Sequence, residues 1–390
     1  MKVDAELERV GVAMLAPRIC VLGHDPCGGS EVVLWRDANL IAEAGVPVRM
    51  YARAAREGAP VKVIPTRTHS RLITSLEYCG KFLWQERRAV VISQNEPTLA
   101  GLVPGRAIVR FEWSTPLPQY WTIPGWLGRF QRAFYLFPSK DEQRVFQQAH
   151  PRIPDQSQFV MPYGIDLSEF KADEGPSRPA LRVGFAGQWV PRKGIDTLLD
   201  AWTQVRKAIP AAELHLLDGR NLWKVDEPIP GVAEAITRVC EEESKGALRV
   251  RPALPHSQMP EFWNSVSVAV VPSLYEPLAN VVLEAMACGT PVVASSVGGF
   301  PDMIVEGQSG MLVPPGDATA LAGAIVSLLK DSQLREKMAA GARRRAEEFS
   351  LERRRSNLLS LLHLRLNHSR ERLPHSRQSS PAQGDGKDTE

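Results

Sequence analysis

Cysteine is scarce here. Cys20, Cys27, Cys79, Cys240 and Cys288 are scattered over 390 residues, odd in number and without a C-x-x-C pair. That pattern argues against a disulfide framework and a structural zinc site, and favours a reducing compartment. Long apolar runs are missing too, since no stretch approaches the roughly 18–20 residues needed to span a membrane. Asp4, Glu6 and Glu8 occupy the region that a secretory leader keeps basic, so cytoplasmic residence is expected. The net charge of +3 is small for this length and gives no reason to expect nucleic acid as the main partner. The dinucleotide fingerprint G-x-G-x-x-G is absent, because neither Cys27-Gly28-Gly29-Ser30 nor Gly184-Phe185-Ala186-Gly187 fits it, which counts against an NAD or FAD enzyme.

What is present describes a globular protein, 44% hydrophobic and 23% charged, long enough for two domains. After an N-terminal extension (1–17), Ile19 to Leu22 reads as a strand, Cys27 to Ser30 as a glycine turn, Glu31 to Ala44 as a helix and Pro47 to Tyr51 as a second strand. This βαβ opening predicts a parallel sheet over 18–170. Residues 171–180, rich in Pro, Gly and charge, read as a linker. A second strand-turn-helix series runs over 181–349, followed by a basic amphipathic helix at 350–367 and a polar, disordered tail at 368–390. Two such α/β halves create a cleft, with ligands expected at the carboxyl ends of the strands.

The densest signal lies in the second half. Ser267 to Val271 reads as a strand, Pro272 to Pro277 as a loop, Ala279 to Ala287 as a helix closed by Gly289, and Pro291 to Ala294 as the next strand. A helix N-terminus after a buried strand offers backbone N–H groups and a positive dipole end to a phosphate. Glu276 stands just before that end, placed to reach a sugar, and Glu284 lies inside the helix, placed to reach a ribose. Val281, Val282, Leu283, Ala285, Met286 and Ala287 surround Glu284, so a solvated carboxylate there would be out of keeping, and a ligand hydroxyl pair would satisfy it.

Arg192-Lys193-Gly194 follows a strand and precedes a helix. Lys193 can reach a diphosphate as a point charge, or the loop is simply solvated. Gly28-Gly29 can admit a ligand close to the backbone, or only reverse the chain.

Together these residues resemble the retaining glycosyltransferases of family 4, from about Ile19 to Phe349. Glu276 to Glu284 resembles the E-x-x-x-x-x-x-x-E signature of that family, followed in order by Cys288-Gly289-Thr290-Pro291, Gly298-Gly299-Phe300-Pro301-Asp302 and Gly307 to Gly310. Arg192-Lys193-Gly194 resembles its phosphate-binding basic site, Gly28 to Glu31 its first glycine loop, and Pro162 to Asp166 the end of its first domain. The resemblance implies the GT-B fold, two Rossmann-like α/β/α domains facing each other across a cleft. It implies that Glu284 binds ribose hydroxyls, Glu276 contacts the donor sugar, Lys193 binds the diphosphate, and amides around Asn280 and Val281 complete the phosphate site. It also implies transfer from a UDP- or GDP-sugar to an acceptor hydroxyl with no metal and no cofactor, and no D-x-D sequence contradicts this. A nucleotide-sugar epimerase or hydrolase on the same fold, or a non-catalytic nucleotide-sugar binder, are the alternatives.

The chain departs from the family pattern at Gln188, where a basic residue is common, at Leu278-Ala279, at Tyr163, and at Glu112, where many relatives have a histidine. Glu112 either acts in catalysis, binds an acceptor hydroxyl or pairs with Arg110. Trp113, Tyr120, Trp121 and Trp126 form either an acceptor-stacking surface or the packing of a long loop. The C-terminal helix, with Arg353-Arg354-Arg355 and Arg365 among leucines, either lies on anionic lipid as a peripheral membrane contact or packs back across the domains.

Overall fold

The computed structural model describes residues 5–15, 29–52, 61–65, 86, 88–94, 105–111, 132–173, 181–219 and 231–370. The first domain has strands β1 (Val12–Leu15), β2 (Val48–Ala52), β3 (Lys62–Pro65), β4 (Val90–Gln94), β5 (Ala107–Arg110), β6 (Phe134–Phe137) and β7 (Gln158–Val160). They form one sheet in the order β3-β2-β1-β4-β5-β6-β7. Helix α1 (Ala5–Val10) precedes β1, α2 (Gly29–Glu43) follows it, and α3 (Lys140–Ala149) follows β6.

The second sheet has β8 (Arg182–Phe185), β9 (Glu213–Leu217), β10 (Arg249–Arg251), β11 (Val268–Val271), β12 (Val292–Ser295) and β13 (Gly310–Val313), in the order β10-β9-β8-β11-β12-β13. Its helices are α4 (Ile195–Ala208), α5 (Val232–Ser244), α6 (Met259–Asn264), α7 (Asn280–Ala287), α8 (Phe300–Met303), α9 (Ala318–Lys330) and α10 (Ser332–Glu347). All recorded pairings in both sheets are parallel. Each sheet is doubly wound and reverses direction between its first and fourth strands, the place where such sheets hold ligands.

Strand composition follows from burial on both faces. Val268 and Val270 of β11 enter one core with Trp202, Leu321 and Ile325, while Ala269 and Val271 enter another with Trp263, Leu283 and Met286. Successive side chains point to opposite faces, so a strand covered by helices on both sides is apolar throughout. Helix α4 shows the other period: Ile195, Leu198, Leu199, Trp202 and Val205 share its buried face.

The first domain departs from expectation at its start. Residues 1–17, read as an extension, supply α1 and the central strand β1, whereas Ile19 to Leu22 lie outside the described residues. Val12–Leu15 is as apolar as Ile19 to Leu22, and pattern alone does not choose between them. The crossover also comes earlier than the 171–180 linker. Met161 packs in the first domain, and Tyr163, Ile165 and Phe170 pack with second-domain residues such as Leu283 and Phe300.

The chain then returns. Phe349 C=O accepts from Ile165 N–H at 2.8 Å, and Ile165 C=O accepts from Leu351 N–H at 3.1 Å, pairing the two crossovers. Helix α11 (Leu351–Arg370) buries Leu358, Leu359, Leu361, Leu362 and Leu366 in the first-domain core. The leucine face that would enter lipid is thereby occupied. Nor are its arginines all in water. Arg354 is 3% exposed and pairs with Asp37 through Nη2–Oδ2 at 2.6 Å. Arg365, 1% exposed, donates to the Arg132 carbonyl and stacks over Phe134. Among the described residues, no helix is long and apolar enough to cross a membrane.

Candidate active site

The loops after β8 and β11, the two strands flanking the second sheet's switch point, carry Lys193 and Glu276. The β8 loop is anchored by the buried Trp189 indole, which donates to Leu217 C=O at 3.1 Å. Gln188, half-buried, precedes that anchor. Pro191–Lys193 makes one tight turn, ended by Gly194 at φ 71°. A Cβ on Gly194 would stand 1.8 Å from Pro272 C=O, so only glycine lets the two loops touch. Leu274 N–H donates to Arg192 C=O at 2.8 Å, lacing the loops together.

This contact brings the charges to one point. Arg192 Nη1 lies 3.1 Å from Glu276 Oε2, and Lys193 Nζ meets the same oxygen. Burial lowers the Lys193 pKa below its usual value, against the raising effect of Glu276, and Arg192 adds to the lowering. Behind the carboxylate, Gly298 at φ 51° passes so close that a Cβ would stand 1.7 Å from Glu276 C=O.

Helix α7 opens at Asn280 from an extended Ala279, which has no side-chain oxygen to cap the first turn, and that turn contains no acidic residue. Its positive end is therefore not neutralised by its own cap or by a first-turn carboxylate, and Val281 is part-buried beside Asn280. Leu278 and Ala279, the departures from the family pattern, are both buried and fix the approach of the helix.

Glu284 is buried, at 3% exposure, as its apolar neighbours require. It does not wait for a ligand alone. Trp263 Nε1 donates to Glu284 Oε2 at 3.1 Å, and His256 Nε2 lies 3.5 Å from Oε1. His256 Nδ1 lies 3.8 Å from Glu169 Oε1. Burial disfavours the imidazolium, but the interaction with Glu284 outweighs it and raises the His256 pKa.

Neither Trp263 nor His256 was singled out from sequence. A buried indole needs an acceptor, so Trp263 inside an apolar helix carried a usable signal. His256, in the turn His256–Gln258, carried none.

The first domain reaches this edge of the cleft. Lys140 N–H at the start of α3 donates to Asp302 Oδ2 at 2.7 Å, and Ser139 stands against Gly299. Burial and the carboxylates Glu142, Asp141 and Glu276 raise the Tyr275 pKa. Gly29 is the first residue of α2. Gly28, Glu112, Trp113, Tyr120, Trp121 and Trp126 lie outside the described residues. Arg110, considered as a partner of Glu112, donates to Asp37 at 3.2 Å. Among the described residues, no group of three or more His, Cys, Asp or Glu could hold a metal ion.

Two doubly wound domains, with a basic pair, a helix end and two carboxylates at the switch point of the second, make up the GT-B architecture. The family profile described as Glycosyl transferases group 1 matches residues 168–345, so the second domain is similar to that group. It is 33% identical over 222 residues to the alpha-maltose-1-phosphate synthase of Mycolicibacterium smegmatis, covering 52% of this chain and 55% of that protein. It is 35% identical over 215 residues to the D-inositol 3-phosphate glycosyltransferase of Geodermatophilus obscurus, covering 52% of this chain and 46% of that protein. The chain thus spans about half the length of these curated relatives. The fold is similar to that of Anabaena HepE solved with UDP, with a TM-score of 0.71, 18% identity, and coverage of 91% of this chain and 100% of that one.

Proposed function

We propose that this protein is a retaining, family 4 type glycosyltransferase that moves a hexosyl group from a nucleotide-sugar to an acceptor hydroxyl without a metal ion, in the cytoplasm. The observation that carries this reading is the meeting of Arg192, Lys193 and Glu276 beside the N-terminus of α7. UDP in the structurally similar HepE supports a UDP-sugar as the first donor to test, with a GDP-sugar next.

In this reading the bond from the sugar C1 to the diphosphate oxygen breaks, and negative charge develops on the leaving phosphate. Lys193, Arg192 and the N–H groups near Asn280 and Val281 stabilise that charge in place of a metal. Glu276 takes a donor-sugar hydroxyl and Glu284 the ribose. The acceptor oxygen attacks C1 from the face the diphosphate leaves, and its proton passes to a departing phosphate oxygen. No protein nucleophile is required, and the anomeric configuration is kept.

The test is product analysis with UDP-, GDP- and ADP-sugars over an acceptor panel, in the presence of a chelator. A new glycoside with the donor's anomeric configuration is expected, and loss of transfer in Lys193→Ala and Glu284→Ala variants that remain folded. An inverted product, an isomerised donor or free sugar alone would overturn the assignment, as would near-normal turnover in either variant.

A further inference from the structure

We propose that protonated His256 is a positioning residue of the donor site, holding the Glu284 carboxylate, together with Trp263, in the orientation that receives the ribose hydroxyls. The inference rests on the donor-site reading above and adds a residue outside both the E-x-x-x-x-x-x-x-E segment and the basic loop.

Glu284 on α7 meets Trp263 of α6 and His256 of the turn His256–Gln258. A buried carboxylate is tolerated only when its oxygens are engaged. Trp263 engages Oε2 with a neutral donor. Oε1 faces His256 Nε2 at 3.5 Å, a buried nitrogen with no hydrogen-bond partner closer than this carboxylate. That spacing suits an ion pair that a ribose hydroxyl can enter, since the oxygen keeps a lone pair for an O–H donor.

The ring is fixed from its other sides. Nδ1 lies 3.8 Å from Glu169 Oε1, and the ring makes a T-shaped contact with Phe170, 5.2 Å between centroids. The charged groups facing it are Glu284 from α7, Glu169 from the crossover segment and Arg36 from α2 of the first domain. Arg36 is itself tied to the crossover, donating to Gly164 C=O at 2.6 Å. With the imidazole protonated, two cations face two carboxylates. With it neutral, the cluster gains net negative charge next to a site that must accept a diphosphate.

The sign follows. Glu284 raises the His256 pKa above its ordinary 6.5, so the imidazolium persists towards neutral pH and is lost as pH rises through the raised value. Ribose recognition should weaken over that rise.

The experiment measures, on the full chain, dissociation constants for UDP, GDP and ADP and for their 2′,3′-dideoxy forms, from about pH 6 to about pH 9, across the histidine range. Taking the ratio of ribo to dideoxy affinity cancels titration of the phosphates. In the wild type this ratio is expected to fall about tenfold with rising pH, the equivalent of one pKa unit of coupling. In His256→Gln it should be low and flat. A pH-independent wild-type ratio overturns the proposal even if the variant does not fold, and so does a folded variant that keeps the wild-type profile. Failure of all three ribonucleotides to bind the wild type would sink the donor-site reading, and this assignment with it.

Discussion

Lys193 Nζ and Glu276 Oε2 are in direct contact, with Arg192 on the same oxygen at 3.1 Å. The cations assigned to a diphosphate are thus engaged by a carboxylate, and an incoming phosphate must compete with it. This favours an exchange in which phosphate binding releases Glu276 towards the sugar. Neutralising the carboxylate should separate the two roles. Glu276→Gln is expected to tighten binding of a bare nucleoside diphosphate about tenfold, roughly one pKa unit of interaction, while lowering sugar transfer. Calorimetry with UDP and GDP beside a transfer assay reads both; weaker diphosphate binding in the variant would refute the exchange.

The geometry that makes this contact is backbone geometry, and glycine substitution tests it. Gly194→Ala places a methyl group 1.8 Å from Pro272 C=O, at a positive φ. The loops must separate, at a cost on the order of 1–3 kcal/mol for the strain alone. Transfer should fall far more than the melting temperature, because Lys193 is the adjacent residue. Gly307→Ala is the control: its φ is also positive, at 69°, but nothing lies within 4 Å of the added carbon. Equal loss of transfer in both variants would refute the role of close approach.

Much of the second domain was legible in sequence because its signals are local. Strands Val268–Val271 and Val292–Ser295 and helix Asn280–Ala287 lie within one residue of the spans that their apolar runs predict, and Lys193, Glu276 and Glu284 were marked by ordered motifs. What could not be read is pairing at long range. Nothing in the pattern around Glu284 indicates that His256 and Trp263 reach its oxygens. Nothing around Asp37 indicates Arg354, 317 residues away. The arginine-and-leucine pattern of α11 is equally that of a lipid-facing helix and of one packed on a sheet. Only the burial of Leu358 and Leu362 against the first domain separates them.

Asp37 is expected to make the fold sensitive to acid. It accepts from Arg354 at 2.6 and 2.9 Å and from Arg110 at 3.2 Å, all three side chains being buried. Burial alone would raise its pKa, but the charge and hydrogen bonds of Arg354, followed by Arg110 and Arg36, outweigh it and hold the group below its ordinary 3.8. A carboxyl depressed on folding contributes stability that is full above its unfolded pKa and lost as pH falls through the folded one. Stability from this group should therefore hold above about pH 5 and drop below about pH 4. Asp37→Ala, which takes the shared carboxylate from two buried guanidinium groups, should cost about 3–5 kcal/mol at neutral pH and flatten the acid limb. Denaturant unfolding at several pH values checks both; an unchanged acid limb would show that another group controls it.

Asp302 and Lys140 join the domains across the cleft, and their chemistry predicts an effect on closure more than on stability. The ion pair between Lys140 Nζ and Asp302 Oδ1 is 3.7 Å long with the lysine 80% exposed, so it contributes at most about 1 kcal/mol. The stronger element is the 2.7 Å bond from Lys140 N–H, because the carboxylate sits at the positive end of α3. Asp302→Ala removes both while leaving the Asp302 carbonyl that holds Arg345. The expected outcome is a melting temperature little changed, a larger radius of gyration in solution scattering, and a donor KM raised more than kcat is lowered. A radius of gyration identical to that of the wild type, with unchanged KM, would show that Ser139 against Gly299 and the paired crossovers at Ile165 and Ser350 hold the cleft without it.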